Sequence, residues 1–313
     1  MFSTAFFIAL AVMLQVGGTE KKTDTIKYVE FNVTQEALQS AINNDIKTKD
    51  EDFHTDYIQQ LAYLGAKYGG DFSKYKAEDL SDFCEKVKNG ESVAEITKNM
   101  QYYPYYEQAY TAVLDGMVGE YQEENQSGEM EKNYGIRWFS PIAKTFPFSH
   151  YDDFGAQRTY GYTRPHLGHD LMASVGTPVI AVESGTVECL GWNMYGGWRI
   201  GIRSDDGKRY WYYAHLRQNR PYAENLKEGD KVTAGDVIGY VGRTGYSTTE
   251  NVNGITESHL HIGLELIFDE ERRENGYEIW VDMYALTNVL ESHKSSTLRN
   301  SETKEFTREF AFN

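Results

Sequence analysis

Cysteine is almost missing from this chain: only Cys84 and Cys189 occur among 313 residues, so the fold is not a disulfide scaffold and both thiols are expected to be free and buried. Basic residues are in short supply, with Lys and Arg totalling 31 against 47 Asp and Glu, a net charge of −16. That field repels phosphate backbones and anionic bilayers, which excludes nucleic acid as a partner. No apolar run approaches the roughly 20 residues that cross a bilayer. The run Ala5 to Val16 is of signal-peptide length, so residues 1–18 are read as a signal peptide or, since Met1 to Thr4 lack Lys and Arg, as a short membrane anchor. Either reading expects a secreted or envelope-anchored protein. The motif His-Glu-x-x-His is absent too, which removes the usual glutamate base of helical zinc proteases.

What is present suffices for real cores: 40% of the residues are hydrophobic, and the length allows roughly two domains of about 150 residues. Over residues 26–121 apolar positions recur at helical spacing. Leu80, Phe83, Cys84 and Val87 form one such stripe, and Tyr106, Ala109, Tyr110, Val113, Leu114 and Met117 another. Ser92 with Glu95 makes a capping box, and Gly69, Gly70 and Gly90 are natural helix stops. A small all-α N-terminal domain is expected there, with His54 as a surface or capping residue. Residues 122–135 turn polar and acidic, as in a solvated linker. From 136 to 293 short β-branched runs alternate with glycines, which indicates an all-β antiparallel sandwich or barrel. Residues 294–313 read as a polar, disordered tail. The fold class is therefore α+β.

Two fragments carry the chemistry. Side chains alternate along a strand, so His259 and His261 share a face with Gly263 and Glu265, while Leu260, Ile262, Leu264 and Leu266 fill the other. One side enters a core; the other offers two imidazoles to a cleft. In His166-Leu-Gly-His-Asp170, Pro165 and Gly168 oppose a helix, so His166 and Asp170 converge from a loop or strand end. His169 then points elsewhere. Together the fragments hold the three nitrogen and oxygen ligands of a catalytic zinc that keeps one position open. If His261 is the third ligand, His259 stays free, and His215, which ends the aromatic run Tyr-Tyr-Ala, reaches the same cleft. Such a histidine pair can take a proton from water and steady an oxyanion.

From about Ser140 to Phe268 the chain resembles the lysostaphin-type zinc metallopeptidases, metallopeptidase family twenty-three, which cut peptide bonds in bacterial peptidoglycan. The likeness lies in His166-Leu-Gly-His-Asp170, Gly176-Thr-Pro-Val-Ile-Ala-Val-Glu-Ser-Gly-Thr-Val, Tyr213-Ala-His-Leu216, Gly242-Arg-Thr-Gly-Tyr-Ser and His259-Leu-His261. It implies a duplicated hybrid motif, Zn2+ held by His166, Asp170 and His261, and His215 and His259 as the catalytic pair. Tyr160 matches a tyrosine that some members place over the site, a role Tyr162 could also fill. The implied partner is a peptidoglycan peptide, in stem or cross-bridge, and the implied activity is that of a zinc endopeptidase; the alternative is an inactive family member serving as an envelope scaffold or regulator. Two departures stand out. Thr248 to Ser258 inserts residues between the Gly-x-Thr-Gly-x-Ser turn and His259, and the helical first part matches no wall-binding module.

Overall fold

The computed structural model describes residues 29–313, so the expected leader at 1–18 lies outside the described residues. Five helices come first: α1 (Gln35–Thr48), α2 (Tyr57–Tyr68), α3 (Ala77–Lys88), α4 (Val93–Thr97) and α5 (Tyr103–Leu114). Local signals set their ends. Thr34 and Asp56 cap α1 and α2 through their side-chain oxygens, Gly69 closes α2 at φ 64°, and the Ser92 hydroxyl accepts from the Glu95 amide at 3.2 Å to start α4. The expected stripes face inward. Leu80 and Phe83 are buried, Cys84 and Val87 are half-buried against them, and the stripe from Tyr106 to Met117 is buried throughout.

Two strands follow, β1 (Val118–Glu124) and β2 (Met130–Ile136), paired antiparallel from Val118↔Ile136 to Glu124↔Met130. This hairpin stands where a solvated linker was expected at 122–135. Asn125 explains the turn, since its side-chain oxygen accepts from the amides of Ser127 and Glu129 at 2.8 and 3.0 Å. Tyr134 anchors the hairpin to the helices by donating to the buried Asp45 carboxylate at 2.7 Å. The acidic side chains, half-buried at Glu123 and Glu124 and exposed at Glu129 and Glu131, say nothing against the backbone ladder.

The remaining strands are β3 (Gln157–Arg158), β4 (Arg164–Pro165), β5 (His169–Met172), β6 (Pro178–Ile180), β7 (Gly185–Asn193), β8 (Gly197–Ser204), β9 (Arg209–Ala214), β10 (Lys231–Val232), β11 (Val237–Tyr240), β12 (His259–Leu266), β13 (Ile279–Val281), β14 (Thr297–Arg299) and β15 (Phe306–Arg308), with α6 (Glu270–Glu274) before β13 and α7 (Tyr284–Leu290) after it. Seven of them form one antiparallel sheet in the order β10-β7-β8-β9-β12-β13, with β5 also on β12. Beside its β9 edge, then, β12 shares its other edge between β5 at residues 259–262 and β13 at residues 264–266. Leu260, Ile262, Leu264 and Leu266 are buried, as the alternation required.

One hydrophobic core runs from the helices into the sheet, and α7 packs on α1. Arg209 stitches the two parts: its guanidinium donates to Glu183 at 2.8 and 3.0 Å and to the α5 carbonyl of Ala112 at 3.2 Å. Residues 294–313 are not a disordered tail. They carry β14 and β15, Phe312 is buried between Tyr121 and Phe139, and Asn313 exchanges two backbone hydrogen bonds of 2.9 Å with Gln122. Aromatic residues spaced through the polar segment supply the anchoring that its average composition hides.

Asp45 accepts from the Tyr57 amide at 2.9 Å as well as from Tyr134. Replacing it by Ala strands both donors, so Asp45→Ala is expected to cost about 2–3 kcal/mol, read from the shift of the urea unfolding midpoint at constant slope.

Candidate active site

The register of β12 assembles the site. His261 stands opposite Asp170 on β5 and opposite Ala214 on β9, so a ligand pair separated by 91 residues in sequence is adjacent in the sheet. His166 follows β4 directly. Its amide donates to the Ala156 carbonyl at 2.8 Å and its carbonyl accepts from the Gly155 amide at 2.7 Å, which extends the β3–β4 pairing and fixes the ring. Gly168 has a steric reason to lack a side chain. A Cβ there would lie 2.5 Å from His261 Cε1 and 2.7 Å from the Ile262 carbonyl oxygen.

Three candidate ligand atoms converge. His166 Nε2 lies 2.8 Å from His261 Nδ1 and 3.1 Å from Asp170 Oδ1, and His261 Nδ1 lies 3.0 Å from that same oxygen. No fourth His, Cys, Asp or Glu joins this group among the described residues. The outer ring holds the ligands in place. His166 Nδ1 is 3.1 Å from both the carbonyl and a carboxylate oxygen of Asp153, and Arg158 bridges Asp153 and Asp170 at 2.7 and 2.9 Å. Two imidazoles and a carboxylate, with His166 and Asp170 each oriented by a further hydrogen bond, are a donor set that fits zinc.

The charges are tightly coupled. Burial lowers His166, but the carboxylates of Asp153 and Asp170 outweigh it and push the ring up to about 9. Burial raises Asp170, yet hydrogen bonds from His166 and His261 hold it far below the usual carboxylate range. His261 is lowered by burial against the pull of Asp170.

His215 and His259 face this group, with ring centroids 4.8 Å apart. His215 sits at φ 60°, a left-handed conformation that costs roughly 1 kcal/mol or more in a residue other than glycine. Each ring has its Nδ1 next to a carbonyl oxygen, Thr244 at 2.9 Å for His215 and Glu257 at 2.9 Å for His259. A carbonyl only accepts, so Nδ1 of each ring carries a hydrogen, and Nε2 is the basic atom of the neutral ring. Burial, with His259 nearby, keeps His215 well below the ordinary histidine range and hence neutral at pH 7.

Tyr160 stands one ring away. It stacks on Tyr246 at 4.7 Å, and Tyr246 in turn meets His215 edge-on at 5.9 Å. Tyr162 is exposed. The cavity that opens onto the five central residues has a volume of about 770 Å³ and is walled by Tyr151, Tyr195, Tyr210, Tyr212 and Tyr246 but not by Tyr160. His169 turns away, as expected, to His150 at 2.6 Å and Asp153 at 3.3 Å. The inserted segment is tied down: Asn251 accepts from Trp198 Nε1 at 2.9 Å, and Glu257 joins the cavity wall. Sequence reasoning missed Asp153 and Arg158. Only their charge, close before a ligand motif, could have signalled them.

Residues 164–273 match Peptidase family M23. An L-Ala--D-Glu endopeptidase of Bacillus subtilis (strain 168) is 38% identical over 140 residues, covering 45% of this chain and 39% of that protein. The glycyl-glycine endopeptidase ALE-1 of Staphylococcus capitis is 32% identical over 149 residues, covering 45% of this chain and 38% of that protein. The matched stretch thus spans about two fifths of the length of these curated relatives. A solved structure from Ruminococcus gnavus ATCC 29149, named after the glycyl-glycine endopeptidase LytM, superposes with a TM-score of 0.57 over 88% of this chain and 94% of its own at 22% identity. That likeness is one of fold, and coverage so broad takes in helices as well as the sheet.

Two outcomes follow from the geometry. Gly168→Ala is expected to keep the far-ultraviolet circular dichroism spectrum while weakening zinc binding at least about tenfold in a chelator competition, because the added methyl displaces the His261 ring. Zinc must also displace the proton that His166 holds below about pH 9. Apparent zinc affinity should therefore fall by about tenfold for each pH unit lowered between 8 and 6, with a proton released on binding in unbuffered titration.

Proposed function

We propose, from the premise that residues 164–273 belong to peptidase family M23, that this chain is a zinc-dependent endopeptidase hydrolysing peptide bonds in bacterial peptidoglycan stem peptides or cross-bridges. The observation that carries the reading is the convergence of His166 Nε2, Asp170 Oδ1 and His261 Nδ1 beside two imidazoles whose Nδ1 atoms each lie against a backbone carbonyl. Relatives named for cleavage of L-Ala--D-Glu and glycyl-glycine bonds support the reaction class and leave the bond open. The reading includes the duplicated hybrid motif for the sheet, and a secreted or envelope-anchored location with residues 1–18 as leader or anchor. Among the described residues no helix is long and apolar enough to cross a membrane.

In this reading His166, Asp170 and His261 hold the zinc. A zinc ion there supplies Lewis-acid polarisation of the scissile carbonyl and of the attacking water. The chain's own residues do the rest. His215, kept neutral by its burial, and His259 accept the proton of the attacking water and return it to the departing amine. Asp153 and Arg158 hold the ligands, so little reorganisation is left for the reaction itself. The tyrosine walls flank an extended peptide. Tyr160, stacked on Tyr246, would act on the substrate by holding Tyr246 at the rim. The alternative of an inactive scaffold finds no support, since all five central side chains are present and converge.

Purified protein is expected to carry one zinc per chain and to solubilise peptidoglycan, to lose that activity to a chelator and to regain it with added zinc. His261→Ala should lose both metal and lysis. His215→Ala and His259→Ala should retain zinc while turnover drops by about 10²- to 10⁴-fold. Lysis by zinc-free His261→Ala would overturn the assignment.

A further inference from the structure

The cavity wall beyond the ligands holds a cation with no counter-charge among the described residues. The pair Ile200↔Tyr213 puts Arg199 level with Ala214, which is opposite His261, which is opposite Asp170. Four strands thus contribute one row of side chains to one face of the sheet. Ala214 projects only a methyl, and Tyr212 on the same face lies with its ring 5.8 Å from the His261 ring and its hydroxyl against Arg199. Two strand spacings separate those residues, roughly 10 Å, the span of about three residues of extended peptide.

The other arginines of the cavity are committed. Arg158 pairs with Asp153 and Asp170, Arg273 with Glu265 and Glu188, and Arg164 lies over the Tyr195 ring at 4.6 Å while donating to the Tyr160 carbonyl. Arg199 is half-buried and lines the cavity. It has no carboxylate partner among the described residues, its Nε is buried without a hydrogen-bond partner, and the group that meets its guanidinium is the Tyr212 hydroxyl. In a chain of net charge −16 a counter-ion would have been easy to place. Leaving a half-buried guanidinium unpaired costs desolvation that an incoming anion would offset. The planar fork of arginine suits a carboxylate, the anion that peptides carry.

We infer that Arg199 is a specificity-determining residue that receives a free carboxylate of the substrate peptide, carried within about three residues of the bond that is cut. The inference rests on the proposed peptidase reading and narrows it. The substrate is an acidic peptide, and a neutral strand or one whose carboxylate is amidated is a poor substrate.

Two peptides identical except for a free carboxylate or a carboxamide on the residue flanking the scissile bond test this with the zinc-loaded full chain. Wild type is expected to favour the carboxylate peptide about tenfold or more in kcat/KM, the worth of one charge-assisted hydrogen bond. Arg199→Gln should bring that ratio to within about twofold of unity with zinc content intact, and Arg199→Lys should restore part of it. A ratio near unity in wild type, or an undiminished ratio in Arg199→Gln, overturns the inference. Cleavage of neither peptide would count against the peptidase reading instead, and the subsite is then judged by fluorescence anisotropy. Tighter binding of the carboxylate peptide that vanishes in Arg199→Gln supports it; equal binding of the two peptides overturns it.

Discussion

The pairing register of β12 is the constraint on which the site depends. Because β12 has β9 on one edge and β5 on the other, His261 is locked between Ala214 and Asp170. Sliding either neighbour by one residue would turn its side chains to the opposite face and dismantle the site. The hydrophobic face of β12 prevents that slip, since Leu260, Ile262, Leu264 and Leu266 are all buried in the core. Core packing and ligand placement are two faces of one strand.

Around that strand the electrostatics follow from burial. Asp170 can stay ionised out of water because His166, His261 and Arg158 surround it. Asp153 performs the matching task one layer out, contacting His166, His169 and Arg158 together. The result is a rigid network with few soft degrees of freedom, the condition under which a metal ligand set and a proton acceptor keep their relative positions. His215 and His259 adjoin this carboxylate cage, with His259 Nε2 3.8 Å from Asp170 Oδ1, and each has its Nδ1 against a backbone carbonyl.

The rest of the chain buttresses the sheet. Arg209 ties the start of β9 to the helices through Ala112, Tyr134 ties the hairpin to Asp45, and the last residues extend the hairpin edge through Gln122 and Asn313. Arg217, just past His215, makes a two-pronged ion pair with Glu305 at 2.7 and 2.8 Å. The C-terminal segment therefore braces the loop that carries a proposed catalytic residue. Its order has a mechanical meaning that its composition concealed.

Residue types and spacings by themselves determined the ligand motifs, the alternation of β12, the inward stripes of the helices and the lack of a helical glutamate base, because each is a local pattern with a period of two or of about 3.6 residues. They also pointed to His215, through the aromatic strand that it ends. Tertiary structure alone decided the rest. Asp153 and Arg158 became partners of the ligands only when the β3–β4 pairing folded back on β5, and Arg199 entered the ligand row only through a register spanning four strands. The hairpin at 118–136 and the ordered C-terminal strands eluded composition for the same reason: a backbone ladder and a few buried aromatics stabilise them, and neither registers in the mean polarity of a segment.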